Sequence, residues 1–139
     1  PPAPPTIISR IDRFPFSSPY VITNIGDLSI ARRQHSSQNS STDGYASSGQ
    51  RSGIPSVTNS IERFPFSSPF TTATDIGDLG PSFAFNHAGH SDPSFGYSSG
   101  GQPGSRSTVT RFPFSSPFVI TTDVGDLAYI LAEHIGFSD

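Results

Sequence analysis

The sequence predicts an all-β protein built from tandem repeats, and three observations support this prediction. First, the phrase Arg-Phe-Pro-Phe-Ser-Ser-Pro occurs three times, at residues 13–19, 63–69 and 111–117. Second, Gly-Asp-Leu follows each phrase, and the first Phe of successive phrases is 50 and then 48 positions further on, within the period of about 20 to 50 residues typical of stacked repeats. Third, the intervening segments are rich in β-branched and aromatic residues or alternate polar with apolar. Since one such unit cannot bury its apolar face alone, neighbouring units are expected to stack.

The repeats divide the chain into three parts. Residues 1–58 hold the first repeat with a preceding proline-rich segment, residues 59–107 hold the second, and residues 108–139 hold a third that stops before its Gly-Tyr segment. The beginning of the chain resembles the end of one unit and its last residues resemble the middle of another. We therefore expect neighbouring copies to complete the units.

The composition favours an ordered β structure over a flexible stalk. Only 32% of the 139 residues are apolar, and the chain carries 14 prolines and 13 glycines, a bias that often accompanies disorder. Its 12 phenylalanines, however, recur at equivalent places in the repeats. A glycosylated flexible stalk stays open as an alternative, and it would give no strand signal by circular dichroism.

Charge and cysteine content exclude several functions. The net charge is -3 and the longest basic run is the pair Arg32-Arg33, which we expect to form a solvated rim, so no nucleic-acid partner is predicted. The absence of cysteine excludes disulfides, thiolate metal sites and cysteine nucleophiles. No apolar run approaches the roughly 18 residues of a membrane span.

Short strands and tight turns are predicted in each unit. The first strand alternates from Ser9 and ends near Phe16, because Pro15 has no donor for a ladder. A turn leads to a second strand at residues 20–23 or 118–121, and Gly-Asp makes another turn. A third strand starts at the leucine of Gly-Asp-Leu and a fourth surrounds Gly-Tyr, which together have the size of a propeller blade. The predicted turn residues are Gly26, Asp27, Gly77, Asp78, Gly125 and Asp126.

The Phe-Pro-Phe phrase is predicted to be the main source of cohesion. If its two rings point to opposite sides, each strand contributes to two layers, and each buried Phe contributes about 1.5–3 kcal/mol. The arginine before it is expected to lie over an aromatic ring of a neighbouring unit. An aromatic strip for stacking sugars is the alternative. The predicted repeat core comprises Phe14, Phe16, Leu28, Tyr45, Phe64, Phe66, Leu79, Tyr97, Phe112, Phe114 and Leu127.

These phrases resemble the kelch repeat, in which Val-Glu-Arg-Tyr-Asp-Pro is followed by an arginine, Gly-hydrophobic-Tyr and Gly-Gly. The corresponding segments here are residues 61–66 and 95–101, and Arg32 follows the first Gly-Asp-Leu. The chain is most similar to kelch-like arrays of structural proteins of marine and cyanobacterial viruses, where a motif like Phe-Pro-Phe-Ala-Ser-Asp precedes Gly-Asp-Leu. The resemblance implies tandem blades of short antiparallel strands.

The chain departs from the kelch pattern in several places. It has no tryptophan, residues 48–50 displace one of the paired glycines, and residues 81–85 replace the arginine in the second repeat. Closed propellers need roughly 4 to 8 blades, and fewer than three are available. An incomplete propeller or open stack completed by neighbouring copies is therefore expected.

No catalytic residue, cofactor or metal site is predicted. Aspartates three apart, such as Asp75 and Asp78, could offer oxygens to calcium, but the longer carboxylate series of calcium loops is missing, so a turn is preferred. His87 and His90 with Asp92 have no equivalent triplet elsewhere and fall short of four ligands. No Gly-x-Ser-x-Gly elbow places a nucleophilic serine.

Two functions follow from these predictions. The first is a non-enzymatic structural protein, extracellular or virion-associated, that associates with itself and exposes Ser/Thr-rich loops. The alternative is a kelch-type module that binds a protein, glycan or host surface through residues 34–43 and 87–94. Asn39 begins an Asn-Ser-Ser acceptor for N-linked sugar.

Overall fold

The structure is a computed structural model that describes residues 6–19, 21–53, 56–67, 69–80, 85–104, 106–115 and 117–131. Within these ranges the chain forms ten β-strands and no helix, which confirms the all-β prediction. The strands are β1 (Arg10–Arg13), β2 (Thr23–Asp27), β3 (Ser36–Asn39), β4 (Asp43–Gln50), β5 (Val57–Pro65), β6 (Thr74–Asp78), β7 (Ala88–Ser91), β8 (Phe95–Ser99), β9 (Arg106–Pro113) and β10 (Thr122–Leu131).

The described strands form three separate antiparallel sheets in chain order. β1 pairs with β2, β3 to β6 form one four-stranded sheet, and β7 to β10 form another. Each four-stranded sheet takes two strands from one sequence repeat and two from the next, so the sheets are half a unit out of phase with the repeats. β1 and β2 correspond to the second half of such a sheet, and the three sheets do not form a closed ring of blades.

The heptapeptide begins near the end of β1, β5 or β9, which are equivalent strands of the three sheets. β1 ends at Arg13, while β5 and β9 end at Pro65 and Pro113. Proline lacks the backbone donor that would continue the ladder, and it favours an edge or a strand end. The strand was predicted to end near Phe16; β5 and β9 end one residue before the equivalent phenylalanine, whereas β1 ends three residues before Phe16.

The predicted Gly-Asp turn is wrong. Gly26 and Asp27 lie in β2, and the equivalent pairs Gly77-Asp78 and Gly125-Asp126 lie in β6 and β10. In each sheet the residue before the glycine is an extra one that shifts the register, and the glycines have φ of 153°, 147° and 140°. Glycine here admits a β-bulge, which bends a strand without reversing it.

Two further strand predictions are corrected. Residues 119–121 connect β9 to β10 and form only one bridge, to Asp78. The strand expected at Leu28 and Leu79 begins later, at Ser36 and Ala88, and Leu127 lies inside β10. The fourth predicted strand is confirmed, since the Gly-Tyr segments lie in β4 and β8.

The predicted core residues differ in burial along the chain. Leu28, Tyr45, Leu79 and Phe112 are buried, whereas Phe64, Tyr97, Phe114 and Leu127 are partly buried and Phe14, Phe16 and Phe66 are exposed. The buried residues belong to two clusters, one around Tyr45 and Phe112 and one around Leu28 and Ala46. The first Phe of the phrase is thus 53% exposed in the first repeat and 0% exposed in the third. The same phrase therefore differs in burial from one repeat to the next.

Candidate functional site

The aromatic residues of each heptapeptide form one cluster rather than two opposite layers. The rings of Phe64 and Phe66 meet edge to face with centroids 6.2 Å apart, and the other two phrases repeat this contact at 6.0 and 5.7 Å. The aromatic residue after the phrase then stacks on the first ring, as Phe70 does on Phe64 at 5.8 Å. Because the two rings of a phrase contact each other, the expectation of two separate layers is wrong.

The stacked aromatic residue also covers the bulge glycine of the preceding unit. A Cβ added at Gly26 would lie 2.5 Å from the Phe70 ring, and one at Gly77 would lie 2.6 Å from the Phe118 carbonyl oxygen and 2.7 Å from its ring. Only a residue without a side chain permits this approach. The glycine of Gly-Asp-Leu is therefore the bulge residue, and at Gly26 and Gly77 it is also the point where the aromatic ring of the next unit packs on the strand.

Backbone hydrogen bonds join the same two segments. Asp27 donates its N–H to the Thr71 carbonyl at 3.2 Å, and its own carbonyl accepts from the Ala73 N–H at 2.7 Å. Asp78 makes the same pair of bonds with residues 119 and 121, at 3.1 and 3.0 Å. β2 and β6 are edge strands, so each uses its free edge to bind the connection of the next unit in a short parallel bridge.

Burial at the bulge follows contact with the next unit. Ile25 in β2 and Ile76 in β6 both have a following unit, and their exposures are 4% and intermediate. Val124 occupies the same position in β10 and is 43% exposed. The interface therefore removes an apolar side chain from water at each junction, which stabilises the stack by the hydrophobic effect.

A second line of contacts joins β3 of one four-stranded sheet to β7 and β8 of the other. In β3, the Gln38 side-chain amide donates to the Tyr97 carbonyl and to the Ser98 hydroxyl, both at 3.0 Å. The backbone N–H of Asn39 donates to the Ser91 hydroxyl at 2.9 Å. Asn39 itself is exposed, so the predicted glycosylation acceptor lies beside this contact.

A buried ion pair lies within the sheet formed by β3 to β6. Arg32 binds Glu62, and the guanidinium also donates to the Ser48 and Ser60 carbonyls at 3.2 Å. Both charged side chains are 0% exposed. Burial lowers the pKa of Arg32, while the Glu62 carboxylate opposes this shift. The expectation that Arg32 belongs to a solvated rim is wrong, although its neighbour Arg33 is exposed.

The loops predicted to bind a partner border one cleft. Residues 40–43 and 93–94 line a cavity of about 260 Å³ together with Tyr45, Phe114 and Ser115. Its walls carry serine and threonine hydroxyls, one carboxylate and the edges of two aromatic residues, which are groups that can hydrogen-bond to a polar ligand and pack on its apolar face.

One loop beside this cleft is organised by Asp92. Its carboxylate accepts from the backbone N–H groups of Ser94 and Phe95 and from the Tyr97 hydroxyl, all at 2.7 Å. The bond from Tyr97, followed by the backbone bonds, lowers the pKa of Asp92. The Arg111 guanidinium lies 4.4 Å from the Phe95 ring. This contact matches the expected arginine–aromatic pair between sequence repeats, but it lies within one sheet.

The residues considered for metal binding have other partners. Asp75 accepts from the Gly77 N–H at 3.1 Å, and burial and the nearby Asp75 charge raise the pKa of Asp78. His90 bonds to the Ser99 hydroxyl at 3.0 Å, while His134 lies outside the described residues. Among the described residues, no three His, Asp or Glu side chains form a cluster that could hold a metal ion.

Comparisons with known proteins add no identification. No protein-family model matches this chain, and no curated protein matches it. In the ranges that the structure describes, no helix has the length and apolar character needed to cross a membrane.

The sequence indicated some of these contacts and missed others. The aromatic residues after the heptapeptide were visible as a recurring Tyr or Phe, but nothing local linked Phe70 or Phe118 to a glycine of the preceding repeat. The kelch resemblance partly indicated the buried pair of Arg32 and Glu62, because it places an arginine after Gly-Asp-Leu at Arg32. Its partner Glu62 lies 30 positions away, and only the fold brings the two together.

Proposed function

We propose that this chain is a non-enzymatic structural protein whose kelch-like β repeats assemble with copies of themselves. One observation carries the proposal, namely that the same repeat-to-repeat contact is built twice in the chain, at β2 and at β6. A contact that is repeated in this way can continue from chain to chain without any new type of interaction. The Ser/Thr-rich loops then decorate the surface of a fibre or a layer, outside the cell or on a virus particle.

The exposed apolar residues support assembly. Val21, Ile22, Val124, Tyr129 and Ile130 are 43% to 79% exposed, and they lie near the two ends of the row of sheets. Exposed apolar surface of this kind often marks a protein interface. Single exposed residues would need no explanation, but Val124, Tyr129 and Ile130 lie together in β10, the strand equivalent to the edge strands β2 and β6 that bind the next unit.

Light scattering after size exclusion, across a hundredfold range of protein concentration, tests this proposal. We expect the average mass to rise with concentration toward a regular oligomer or polymer, and electron microscopy should show a repeating fibre or layer. A constant monomer mass over the whole range would contradict it. The intact chain should be used, because each sheet combines two sequence repeats.

The cleft bordered by residues 40–43 and 93–94 favours a second function, the binding of a glycan. Its hydroxyl groups and aromatic edges suit a sugar, although Tyr45 is only 2% exposed. Binding to a glycan array that is lost on replacing Ser94 with a bulky residue, with a monomeric protein, would favour this module over the structural protein. No binding to any glycan would exclude it.

A further inference from the structure

We propose that β10 is the docking edge for a second copy of this chain, which contributes the segment that ends at Ile22, just before its β2, as the segments before β6 and β10 dock inside the chain. The inference rests on the proposed self-assembly and specifies its interface. The argument compares three equivalent edge strands, β2, β6 and β10, of which the first two have a described partner segment.

The β10 edge has the same features as the two occupied edges. Asp27 bridges to Thr72 and Asp78 bridges to Ile120, both in parallel, and Asp126 is the equivalent residue of β10. In the described part of the chain, nothing lies within 4 Å of a Cβ placed at Gly125, whereas the equivalent glycines Gly26 and Gly77 are covered. The β10 edge thus has the backbone features of the two occupied edges, with no described segment bound to it.

The segment that fits this edge occurs once more in the chain, near its beginning. Residues 21–23 read Val-Ile-Thr, as residues 119–121 do, and each segment follows an aromatic residue after the heptapeptide. Residues 119–121 bind β6 through their backbone, and Val119 and Ile120 remain 86% and 52% exposed there, much as Val21 and Ile22 are at 77% and 55%. Among the described residues, neither Val21 and Ile22 nor the outer edge of β10 has a backbone partner like those seen at β2 and β6.

Strand addition explains how the two could bind. An extended segment that joins an exposed sheet edge gains main-chain hydrogen bonds, and side-chain pockets fix its register. In both internal contacts the Asp carbonyl accepts from the last residue before the following strand, Ala73 or Thr121. By analogy, the Asp126 carbonyl is expected to accept from the Ile22 N–H of the second copy, because Ile22 is the last residue before β2. Val124 would then be buried as Ile25 is. A head-to-tail contact generates a closed ring or an open filament, depending on the rotation between successive copies.

Cysteine cross-linking tests the register directly, because the chain has no cysteine of its own. Ile22→Cys and Asp126→Cys proteins are mixed under mild oxidation. We expect covalent dimers from the mixture well above those from either protein alone, since bridge partners meet the Cα separation of about 4.4–6.8 Å that a disulfide requires. The first repeat has 13 positions from the arginine of its heptapeptide to the bulge glycine, and the other two repeats have 14. The equivalent of Ile120 in the first repeat is therefore Ile22 when counted from the arginine and Val21 when counted from the glycine, so Val21→Cys is tested beside Ile22→Cys.

An intramolecular pair provides the matched control. Asp78→Cys with Ile120→Cys in one chain occupies the same bridge inside the protein, so it should form a disulfide without any dimer. If this control closes and the protein assembles, but the mixtures give no excess of dimers, the docking inference fails and the proposed function stands. If the protein is monomeric at every concentration, both fail.

A charge at the bulge gives an independent readout. Val124→Glu should shift the concentration at which the protein assembles upward by about tenfold or more, because the interface would bury an unpaired carboxylate. Val124 is 43% exposed in the chain, so folding should be unaffected, and circular dichroism verifies this. Ser52→Glu adds the same charge at an exposed position away from β10 and should leave assembly unchanged. Equal assembly of both variants would overturn the docking edge.

Discussion

Replacing Glu62 with threonine should destabilise the fold far more than removing an exposed ion pair does. Threonine is the residue that the next sheet has at the equivalent position, Thr110, as the register of β6 on β5 and of β10 on β9 shows. In the variant, the Arg32 guanidinium keeps its Ser48 and Ser60 acceptors but loses the carboxylate that balances its charge. The result is a buried cation without a counter-ion.

The magnitude follows from the burial of the pair. Both side chains are fully shielded from solvent, and removing one partner of such a pair typically costs about 3–5 kcal/mol. Ser29 also loses two bonds to the carboxylate, at 2.6 and 2.8 Å, but it is exposed and water replaces much of their value. The expected loss is a large share of the roughly 5–15 kcal/mol that stabilises a typical domain.

Two companion variants separate charge from packing. Arg32→Met combined with Glu62→Thr removes the buried charge altogether, so we expect it to recover about half or more of the loss. Arg10→Ala removes an exposed pair, whose side chains are 50% and 37% accessible, and should cost no more than about 1 kcal/mol. The three variants thus compare the same type of interaction in two environments.

Urea unfolding is the assay, followed by circular dichroism of the strands and by tyrosine fluorescence, since the chain has no tryptophan. The measurement is made below the concentration at which the protein assembles, because association would raise the apparent stability. A Glu62→Thr loss no larger than that of Arg10→Ala would refute the reasoning. So would a double variant less stable than the single one.

Two further predictions concern the loop at Asp92 and the glycines of the Gly-Tyr segments. Because hydrogen bonds, first of all from Tyr97, hold the pKa of Asp92 below its ordinary value of 3.8, its contribution to stability is present above that value and is lost as pH falls through the lowered one. Asp92→Asn should therefore lower the melting temperature at pH 7, and its difference from the parent should shrink as the pH falls below 3.8; a difference that does not change with pH would contradict this. Gly96→Ala places a Cβ 2.4 Å from a ring carbon of Phe112, which is 0% exposed and has no room to shift, so we expect a loss of about 1–3 kcal/mol in urea. Gly44→Ala meets a half-buried ring at the same distance and should cost less, so equal losses would be evidence against a packing cause.

The Gly-Asp phrase illustrates why local patterns mislead. A positive φ at glycine suits a tight turn and a bulge equally well. What decides between them is the strand on the other side of the ladder, here β1 for Gly26, with Ile11 paired to Gly26 and Asp12 to Asn24. That pairing joins residues more than ten positions apart, and no local propensity encodes it.

By itself, the sequence determined that equivalent units repeat, that they are strands, and that the first strand predicted in each unit ends in the heptapeptide. These features depend on local alternation, on proline without a backbone donor and on a repeated phrase. Only the tertiary structure decided how the sheets are phased against the repeats, that Phe112 is buried while Phe14 is exposed, and that Arg32 lies beside Glu62. Identical phrases acquire different burial because solvent exclusion depends on what packs around a side chain, and that depends on contacts between distant parts of the chain.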